Sequence, residues 1–379
     1  MKQRLFTAPG RVEIGGNHTD HQRGRVLAAA IDLEAKCYAV PNSTNIVNIN
    51  NKQYGSFSVN LSCLKVQDEE KETSKALVRG VAAWFAERGH KIGGFDAEVS
   101  STIPVGSGLS SSAAFEVMIG NVFKGLFSDN EPQNRPLSHL DIALAGKYAE
   151  NEYFGKPSGL MDQAASSFGG LSMIDFHDPS NAVVTPINAN LSGYALCVVA
   201  TGDDHADLTS EYAAIPNEMK TVAIHFGKEY LREVRTDDFY SNISKLRYLS
   251  DRAVLRTMHF FDDNERVLKQ AAALESGDIH TFFDLVIESG RSSFALLQNV
   301  FNSSDPHNQE LTLALALSEK ILAGKGAWRV HGGGFAGTIL AFVPNDLKDT
   351  YKKQMNSVFG EKACLFLNIR SKGGMEVVK

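Results

Sequence analysis

The chain has 379 residues, 43% of them hydrophobic and 22% charged, and its formal net charge is −6. This length allows two domains, each with its own core. Because the net charge is negative, the protein has no overall positive potential that would attract nucleic acid. No segment approaches the roughly 18 uninterrupted apolar residues of a membrane helix. We therefore predict a soluble globular protein that binds neither nucleic acid nor a membrane.

The N-terminus and the cysteines predict where the protein works. Residues 1–6 lack the apolar core of an export signal. The four cysteines are far apart in the sequence and form no CxxC pair: Cys37, Cys63, Cys197 and Cys364. We expect a cytoplasmic protein with reduced, mostly buried thiols, present as a monomer or a small homo-oligomer.

Strands and helices are predicted along the whole chain. In the first half they are a hairpin with strands at 46–50 and 57–61, a helix ending at Gly89, a strand at 95–99, a helix after the serines at 110–112, a polar loop at 128–136, and a helix that opens with the capping box Ser138-x-x-Asp141 and carries Glu150. In the second half they are a strand at 194–201, helices at 279–297 and 310–322 with a polar link at 301–308, and short strands at 328–330, 338–343 and 365–369.

These elements predict the fold class. Strands and helices are interspersed without the regular βαβ alternation of a doubly wound sheet, which favours an α+β fold. The polar stretch 177–190 contains two prolines and is the predicted domain boundary. It would separate an N-terminal domain, residues 1–180, from a C-terminal domain, residues 190–379.

The most informative segment is residues 104–119, PVGSGLSSSAAFEVMI. Gly106 and Gly108 let a loop turn tightly and bring its N–H groups close to a ligand. The serines at 110–112 follow, where a helix begins. Such a helix N-terminus favours an anion such as phosphate, and the hydroxyls add donors and a possible Mg²⁺ ligand. The competing interpretation is a serine-rich cap on an ordinary helix. The order of residues favours nucleotide phosphate binding.

A second polar cluster lies in residues 8–21, APGRVEIGGNHTDH. We predict a turn at Pro9-Gly10 that presents Arg11 and another at Gly15-Gly16. The polar residues that the two turns present are Arg11, Asn17, His18, Asp20 and His21. Short donors and acceptors in such a cluster suit a polyhydroxylated ligand. Two alternatives are a purely structural polar turn and a metal site built on His18-x-Asp20-His21, whose usual further histidine is replaced by Gly16.

Two further segments have competing interpretations. In residues 149–163, Asp162 follows a Pro-Ser turn and is either a helix cap or a general base. Residues 328–343 contain Gly332-x-Gly334-x-x-Gly337, which matches the dinucleotide-binding fingerprint, but a strand pattern follows where that motif needs a helix. The glycines therefore predict either a structural hairpin or a loop that packs against the phosphate site. The sequence has no Walker A motif.

Three of these segments, in this order and spacing, resemble the motifs of the GHMP small-molecule kinases, and within them those of the galactokinase branch. Gly10-Arg11-Val12 with Gly16-x-His18-Thr19-Asp20 resembles the sugar motif, residues 104–114 the ATP loop, and Gly159-x-Met161-Asp162-Gln163 the catalytic-aspartate motif. The segments around Tyr212 and His259 are similar as well. The resemblance covers nearly the whole chain and implies a two-domain fold with the active site in the cleft between the domains.

The resemblance also implies a reaction and a set of site residues. The reaction is transfer of a phosphoryl group from ATP, with Mg²⁺, to the C1 hydroxyl of a sugar. Asp162 would take the hydroxyl proton, Arg11 would keep Asp162 ionised, and Ser112 and Glu150 would hold Mg²⁺. The residues implied around ATP are Gly106, Ser107, Gly108, Leu109, Ser110, Ser111 and Ser112. The residues implied around the sugar are Asn17, His18, Asp20, Gly159 and Tyr212.

The chain departs from the family pattern at three positions. Asn17 stands where galactokinases have a glutamate that contacts the C6 hydroxyl, His331 replaces a usual threonine, and Ala336 a usual glycine. A neutral amide both donates and accepts, so we expect Asn17 to bind the sugar and to tolerate changes at C6. D-galactose is the expected substrate. Galacturonate, L-arabinose and N-acetylgalactosamine are alternatives within the class. A metal-dependent hydrolase and a catalytically silent sugar-binding regulator are alternatives outside it.

Overall fold

The computed structural model of the chain describes residues 3–51, 55–104, 106–128, 135–156, 158–202, 208–303, 305–335 and 337–378. Its strands are β1 (Arg4–Gly15), β2 (Arg25–Pro41), β3 (Ile46–Asn51), β4 (Gly55–Asn60), β5 (Phe95–Ser101), β6 (Leu171–Asp175), β7 (Val183–Pro186), β8 (Tyr194–Ala200), β9 (Ala327–His331), β10 (Thr338–Pro344), β11 (Cys364–Leu367) and β12 (Met375–Val377). Its helices are α1 (Ser74–Glu87), α2 (Ser111–Phe123), α3 (His139–Tyr148), α4 (Met161–Phe168), α5 (Thr209–His225), α6 (Thr236–Ser241), α7 (Ile243–Leu246), α8 (Asp251–Ser276), α9 (Ile279–Ser292), α10 (Glu310–Leu322) and α11 (Lys348–Phe359). Strands and helices are mixed, which confirms the α+β class.

The larger sheet carries most of the candidate site. Its order is β12-β1-β2-β5-β3-β4, with β6 paired to β2 and β7 to β6. The two long strands β1 and β2 are antiparallel, and α2 and α4 pack against them, so that β1 and the first half of β2 are almost fully buried. Their side chains pack with those of the helices in one large apolar cluster, which includes Phe6, Leu27 and Phe123. This rigid core holds the end of β1 in place beside the N-termini of α2 and α4.

The smaller sheet has the order β11-β8-β10-β9, and all its pairs are antiparallel. One of its faces, with Leu196, Val198 and Phe342, joins the apolar cluster of the larger sheet. The last strand, β12, leaves this half of the chain and pairs with β1. A division into domains of 1–180 and 190–379 stays a prediction. Residues 375–377 belong to the larger sheet.

Most of the predicted elements are confirmed. The hairpin of β3 and β4 is present, although its tip, residues 52–54, lies outside the described residues. The Ser138 hydroxyl accepts from the Asp141 N–H and the Asp141 carboxylate accepts from the Ser138 N–H, which is the predicted capping box. The predicted helix at 279–297 is present as α9 followed by a π-helical turn. Most of the predicted polar loop at 128–136, namely residues 129–134, lies outside the described residues.

The predicted turn at Pro9-Gly10 is wrong. Residues 4–15 form one strand, and its register against β2 shifts between Pro9 and Arg11 without reversing the chain. The strand continues because β2 pairs with it before and after Pro9-Gly10 and its side chains are buried. The turn at Gly15-Gly16 is present, since the Thr19 N–H donates to the Gly16 carbonyl.

Three of the four cysteines, Cys37, Cys197 and Cys364, are buried and all four are free thiols. Cys197 and Cys364, distant in the sequence, lie on neighbouring strands with their sulfur atoms 3.1 Å apart. Within the described part of the chain, no helix combines the length and apolar character needed to cross a membrane.

Candidate active site

The centre of the site is an ion pair between Arg11, near the middle of β1, and Asp162, in the first turn of α4. Arg11 Nε lies 2.7 Å from Asp162 Oδ1, and Nη2 lies 2.7 Å from Oδ2, so the two groups pair through both oxygens. Arg11 Nη1 donates to the Gly108 carbonyl at 2.5 Å. The Arg11 side chain is 6% exposed and that of Asp162 29%. The guanidinium is thus fixed inside the protein, and it holds the carboxylate at the surface of the cleft.

The surroundings of Asp162 keep it ionised. Burial alone would raise its pKa, but the Arg11 guanidinium and a hydrogen bond from the Ser110 hydroxyl lower the pKa to about 2. The folded protein therefore stabilises the carboxylate at neutral pH. A carboxylate with such a low pKa is a weak proton acceptor, so it acts through its position and charge more than through basicity.

The predicted phosphate loop lies directly beside this carboxylate. Gly106 and Gly108 adopt positive φ angles of 73° and 69°, which glycine permits. Leu109 is buried and its carbonyl accepts from the Arg11 N–H at 3.2 Å, which ties the loop to β1. Ser110 precedes α2, but its hydroxyl donates to Asp162 instead of capping the helix. The positive N-terminus of α2 is therefore not closed by its own cap residue and favours an anion.

The predicted metal ligands meet on the other side of the loop. Glu150 lies in a π-helical turn, residues 149–154, that continues α3. The Ser112 hydroxyl donates to Glu150 Oε1 at 3.3 Å, and Gln163 Nε2 donates to Oε2 at 2.8 Å. The same Gln163 amide also donates to Glu116. Burial, with the nearby Glu150 carboxylate, raises the pKa of Glu116 well above its usual range, which favours the neutral acid.

This donor set fits Mg²⁺. A carboxylate and a hydroxyl supply oxygen ligands, and Mg²⁺ commonly uses one or two such groups together with waters and substrate phosphates. The alternative metal site at His18, Asp20 and His21 is not formed. Within the described ranges, no three His, Cys, Asp or Glu side chains are grouped so that they could hold an ion.

Four of the five residues predicted to contact the sugar touch one another or the glycine loop after β9. Asp20 Oδ2 is 1.7 Å from the point where a Cβ on residue 159 would lie, so glycine at 159 allows the Asp20 carboxylate to take this position. The Met161 N–H lies 3.4 Å from the same oxygen. His18 Nε2 is 3.0 Å from the Gly333 carbonyl, and the Tyr212 hydroxyl donates to the Gly334 carbonyl at 2.7 Å. The glycine loop after β9 thus aligns His18 and Tyr212.

His18 has a defined protonation state. Burial, together with the neighbouring His21, lowers its pKa to about 4, so the ring is neutral at pH 7. Because Nε2 faces a carbonyl, Nε2 carries the proton and Nδ1 is an acceptor. Nδ1 is buried and has no hydrogen-bond partner within the described part of the chain. A buried acceptor of this kind is suited to a ligand hydroxyl.

The predicted contact between Asn17 and the sugar does not fit the structure. Asn17 is 0% exposed. Its Nδ2 donates to Glu13 Oε1 at 2.9 Å and to the Gly332 carbonyl at 2.7 Å, while Oδ1 accepts from Ser293 and Asn299. All four hydrogen-bonding positions of the amide are thus used within the protein. Asn17 therefore joins the sugar motif to the glycine loop, and it is not a free group in the cleft.

Two buried polar side chains that contact the end of β1 were not predicted from the sequence. Arg329 is fully buried and donates to Glu13 Oε1 at 2.8 Å and to the Ile14 carbonyl at 2.9 Å. His331 Nε2 accepts from the Glu13 N–H at 3.1 Å, and its Nδ1 is 3.0 Å from Thr338 Oγ1. Arg329 and His331 alternate on a short strand, so the sequence places them on the same face. It does not show which residues they contact.

The facing ends of β9 and β10 pack against the phosphate loop. A Cβ on Gly108 would lie 2.7 Å from Thr338 Oγ1 and 3.4 Å from His331 Nδ1. The two strands pair antiparallel, with His331 opposite Thr338, so the predicted hairpin is present and its strand ends lie beside the phosphate loop. The strand β10 follows the glycines, so the dinucleotide fingerprint is a chance match. Ala336 lies outside the described residues.

A glycine-rich loop at a helix N-terminus, an arginine-held aspartate and a Ser–Glu oxygen pair define a phosphotransferase of the GHMP kinase type. The sequence profile of the GHMP kinase N-terminal domain matches residues 76–170, and that of the galactokinase galactose-binding signature matches residues 1–39. Galactokinases of Glaesserella parasuis and Haemophilus influenzae are 30% and 32% identical to the chain, over 93% and 91% of it and 88% and 86% of their own lengths. The chain belongs to the galactokinase family.

Solved structures agree with this fold. The structure of Lactococcus lactis galactokinase complexed with galactose matches 99% of the chain, and the chain covers 95% of it, with a TM-score of 0.85 and 23% identity. A mevalonate kinase structure matches 97% of the chain, which covers 99% of it, with a TM-score of 0.66 and 16% identity. The two-sheet α+β architecture is therefore that of the GHMP kinases. Membership of this family argues against the hydrolase alternative.

Proposed function

We propose that this protein transfers a phosphoryl group from ATP to the C1 hydroxyl of D-galactose. The observation that carries the proposal is the placement of Asp162. Its carboxylate accepts a hydrogen bond from Ser110 in the phosphate loop. One residue before it, the Met161 N–H lies 3.4 Å from Asp20 in the predicted sugar site. A charged group between the two predicted substrates suits phosphoryl transfer, where positioning and electrostatic stabilisation supply most of the catalysis.

We assign the nucleotide to the phosphate loop. The residues that would surround the phosphates are Gly106, Ser107, Gly108, Leu109, Ser110, Ser111 and Ser112. Their positive-φ glycines and the N-terminus of α2 supply N–H donors. Ser112 and Glu150 would hold Mg²⁺, which neutralises phosphate charge when it is bound. Arg11 donates hydrogen bonds to both oxygens of Asp162, so the Asp162 carboxylate would lie between the Arg11 guanidinium and the transferring phosphoryl group. The Arg11 charge would act on that group through space.

We assign the sugar to the cleft beside Asp20. His18 Nδ1 is a buried acceptor for one hydroxyl, and the Asp20 carboxylate accepts further hydroxyl protons. Gly159 and Tyr212 complete the predicted sugar site. Gly159 leaves space for the Asp20 carboxylate, and the Tyr212 ring lies against Gly333. As the new O–P bond forms and the bond from the γ-phosphorus to the bridging oxygen of the departing ADP breaks, the C1 hydroxyl proton would pass to Asp162. Asn17 has no free hydrogen-bonding position, so the Asn17 amide gives no reason to expect tolerance of changes at C6.

The decisive experiment is a panel of sugars with ATP and Mg²⁺, in which ADP release is measured and the phosphorylated position is identified by NMR. We expect galactose to be the best substrate and the product to be the 1-phosphate. A rate with galacturonate that exceeds the rate with galactose by about tenfold would contradict the proposal, because a factor of ten in kcat/KM is 1.36 kcal/mol of transition-state stabilisation.

We also infer a cytoplasmic enzyme that is a monomer or small homo-oligomer, with domains at 1–180 and 190–379. The free thiols support the reducing compartment. The separate sheet formed by β8, β9, β10 and β11 supports the second domain.

A further inference from the structure

Lys156 lies on the loop between the π-helical turn and α4, and none of the roles above uses it. Its Nζ is 3.4 Å from Glu150 Oε1, the same oxygen to which the Ser112 hydroxyl donates. Its backbone N–H donates to the Glu150 carbonyl at 3.1 Å. The backbone hydrogen bond holds residue 156 beside Glu150, and the ammonium lies at the edge of the predicted phosphate and metal site through its contact with Oε1.

The Lys156–Glu150 pair contributes little to holding the fold. The Lys156 side chain is 62% exposed, whereas that of Glu150 is 4% exposed. Exposed ion pairs add little to stability, because water already solvates the ammonium and a long side chain loses conformational freedom in the pair. Glu150 is independently held by Gln163 at 2.8 Å. Lys156 can therefore leave Glu150 without disturbing the carboxylate.

The charge of Lys156 acts on the reaction centre as well. It helps to lower the pKa of Asp162, in addition to Arg11 and Ser110. Partial burial lowers the pKa of Lys156, but Glu150 and Asp162 outweigh this and raise it above its usual value. The ammonium is thus fully charged at neutral pH. A lysine ammonium is a compact charge with three donors, a common ligand for phosphate.

We propose that Lys156 is a ligand of the nucleotide phosphates: it neutralises Glu150 in the free protein and moves to the phosphate chain in the nucleotide complex. This inference rests on the proposed function, since it takes the Ser112–Glu150 side of the loop as the phosphate site. An ammonium and a divalent cation on the same carboxylate oxygen repel each other. Phosphate oxygens bound beside Ser112 would give the ammonium a second anionic partner, so it would exchange one negative partner for another.

The test measures binding of MgADP by calorimetry, without sugar and without turnover. The variants are Lys156→Met, Lys156→Arg and, as a control for the loss of one exposed lysine elsewhere, Lys228→Met. We expect Lys156→Met to weaken MgADP binding by about tenfold, the scale of a charge-assisted hydrogen bond. Lys156→Arg should remain within about threefold of the original protein because it keeps the charge. Lys228→Met should bind like the original protein, and all variants should melt at the same temperature.

Two results would overturn the inference. If Lys156→Met binds MgADP as tightly as the original protein, Lys156 forms only a surface ion pair with Glu150. If the variant binds MgADP more tightly, Lys156 competes with the metal for Glu150. The proposed function fails differently. If the original protein binds MgADP but phosphorylates no sugar, the sugar 1-kinase proposal is refuted while the role of Lys156 stands. If it does not bind MgADP at all, both are refuted.

Discussion

The phosphate side and the sugar side of the cleft are built in different ways. On the phosphate side, the loop that begins with Gly106 and Gly108 is short, contiguous and partly exposed, and its groups lie at the surface of the cleft. On the sugar side, the motif near the end of β1 is buried, and Asn17 uses its whole amide inside the protein. Residue types therefore predict a ligand site reliably where backbone N–H groups form it. Where side chains form it, burial determines which of them are free to bind a ligand.

The largest expected effect is on the phosphate side. Asp162→Asn should lower kcat by at least about a hundredfold, the usual scale for a positioned acid–base group. The amide keeps the shape but not the charge that pairs with Arg11. Calorimetry should find galactose and ATP bound with affinities close to the original. The structure shows no capping hydrogen bond from Asp162, so near-normal turnover of a folded Asp162→Asn protein would leave the residue only as the structural partner of Arg11 and Ser110.

The second effect tests whether Asn17 belongs to the framework. Asn17→Asp replaces two donors with an acceptor that faces Glu13 and the Gly332 carbonyl, so buried acceptors would lose their partners. We expect thermal or urea unfolding to report a loss of about 1–3 kcal/mol of stability, the cost of such unsatisfied groups. Asn50→Asp, at an exposed position on β3, is the matched control and should change stability little.

An alternative outcome for Asn17→Asp would restore the role expected from the sequence. If stability is unchanged and only the use of C6-modified sugars narrows, Asn17 contacts the sugar. The buried arrangement described here would then not be the one that binds substrate.

The smallest effect concerns the sugar side alone. In Gly159→Ala the new Cβ would lie 1.7 Å from Asp20 Oδ2, so the carboxylate must move. We expect galactose binding to weaken by about tenfold, the loss of roughly one hydrogen bond to a charged group. MgADP binding should be unchanged. Gly193→Ala is the control, because a Cβ there meets nothing within 4 Å. Equal galactose affinity in both variants would remove Gly159 and Asp20 from the sugar site.

Much of the site was predictable because it depends on local chemistry. The Gly106–Ser112 loop, the helix after it and the capping box at Ser138 are determined by residues close together in the sequence. The resemblance to a kinase family supplied the roles of Arg11 and Asp162, and the structure brings these two residues into a bidentate pair. The hydrogen bonds of the Asn17 amide within the protein were not predictable, because an asparagine on a turn can face either a ligand or the core, and its neighbours in sequence do not determine which.

The sequence by itself determined the α+β class, the order of most elements and the phosphate loop, since these follow from periodicity, caps and glycine. Three contacts are visible only in the tertiary structure. The strand β12 pairs with β1, the Ser110 hydroxyl donates to Asp162, and Glu13 pairs with Arg329. These are contacts between residues far apart in the chain; Glu13 and Arg329 are 316 positions apart. The physical reason is that a buried polar group must find its partner wherever packing places one, and no local pattern records where that is.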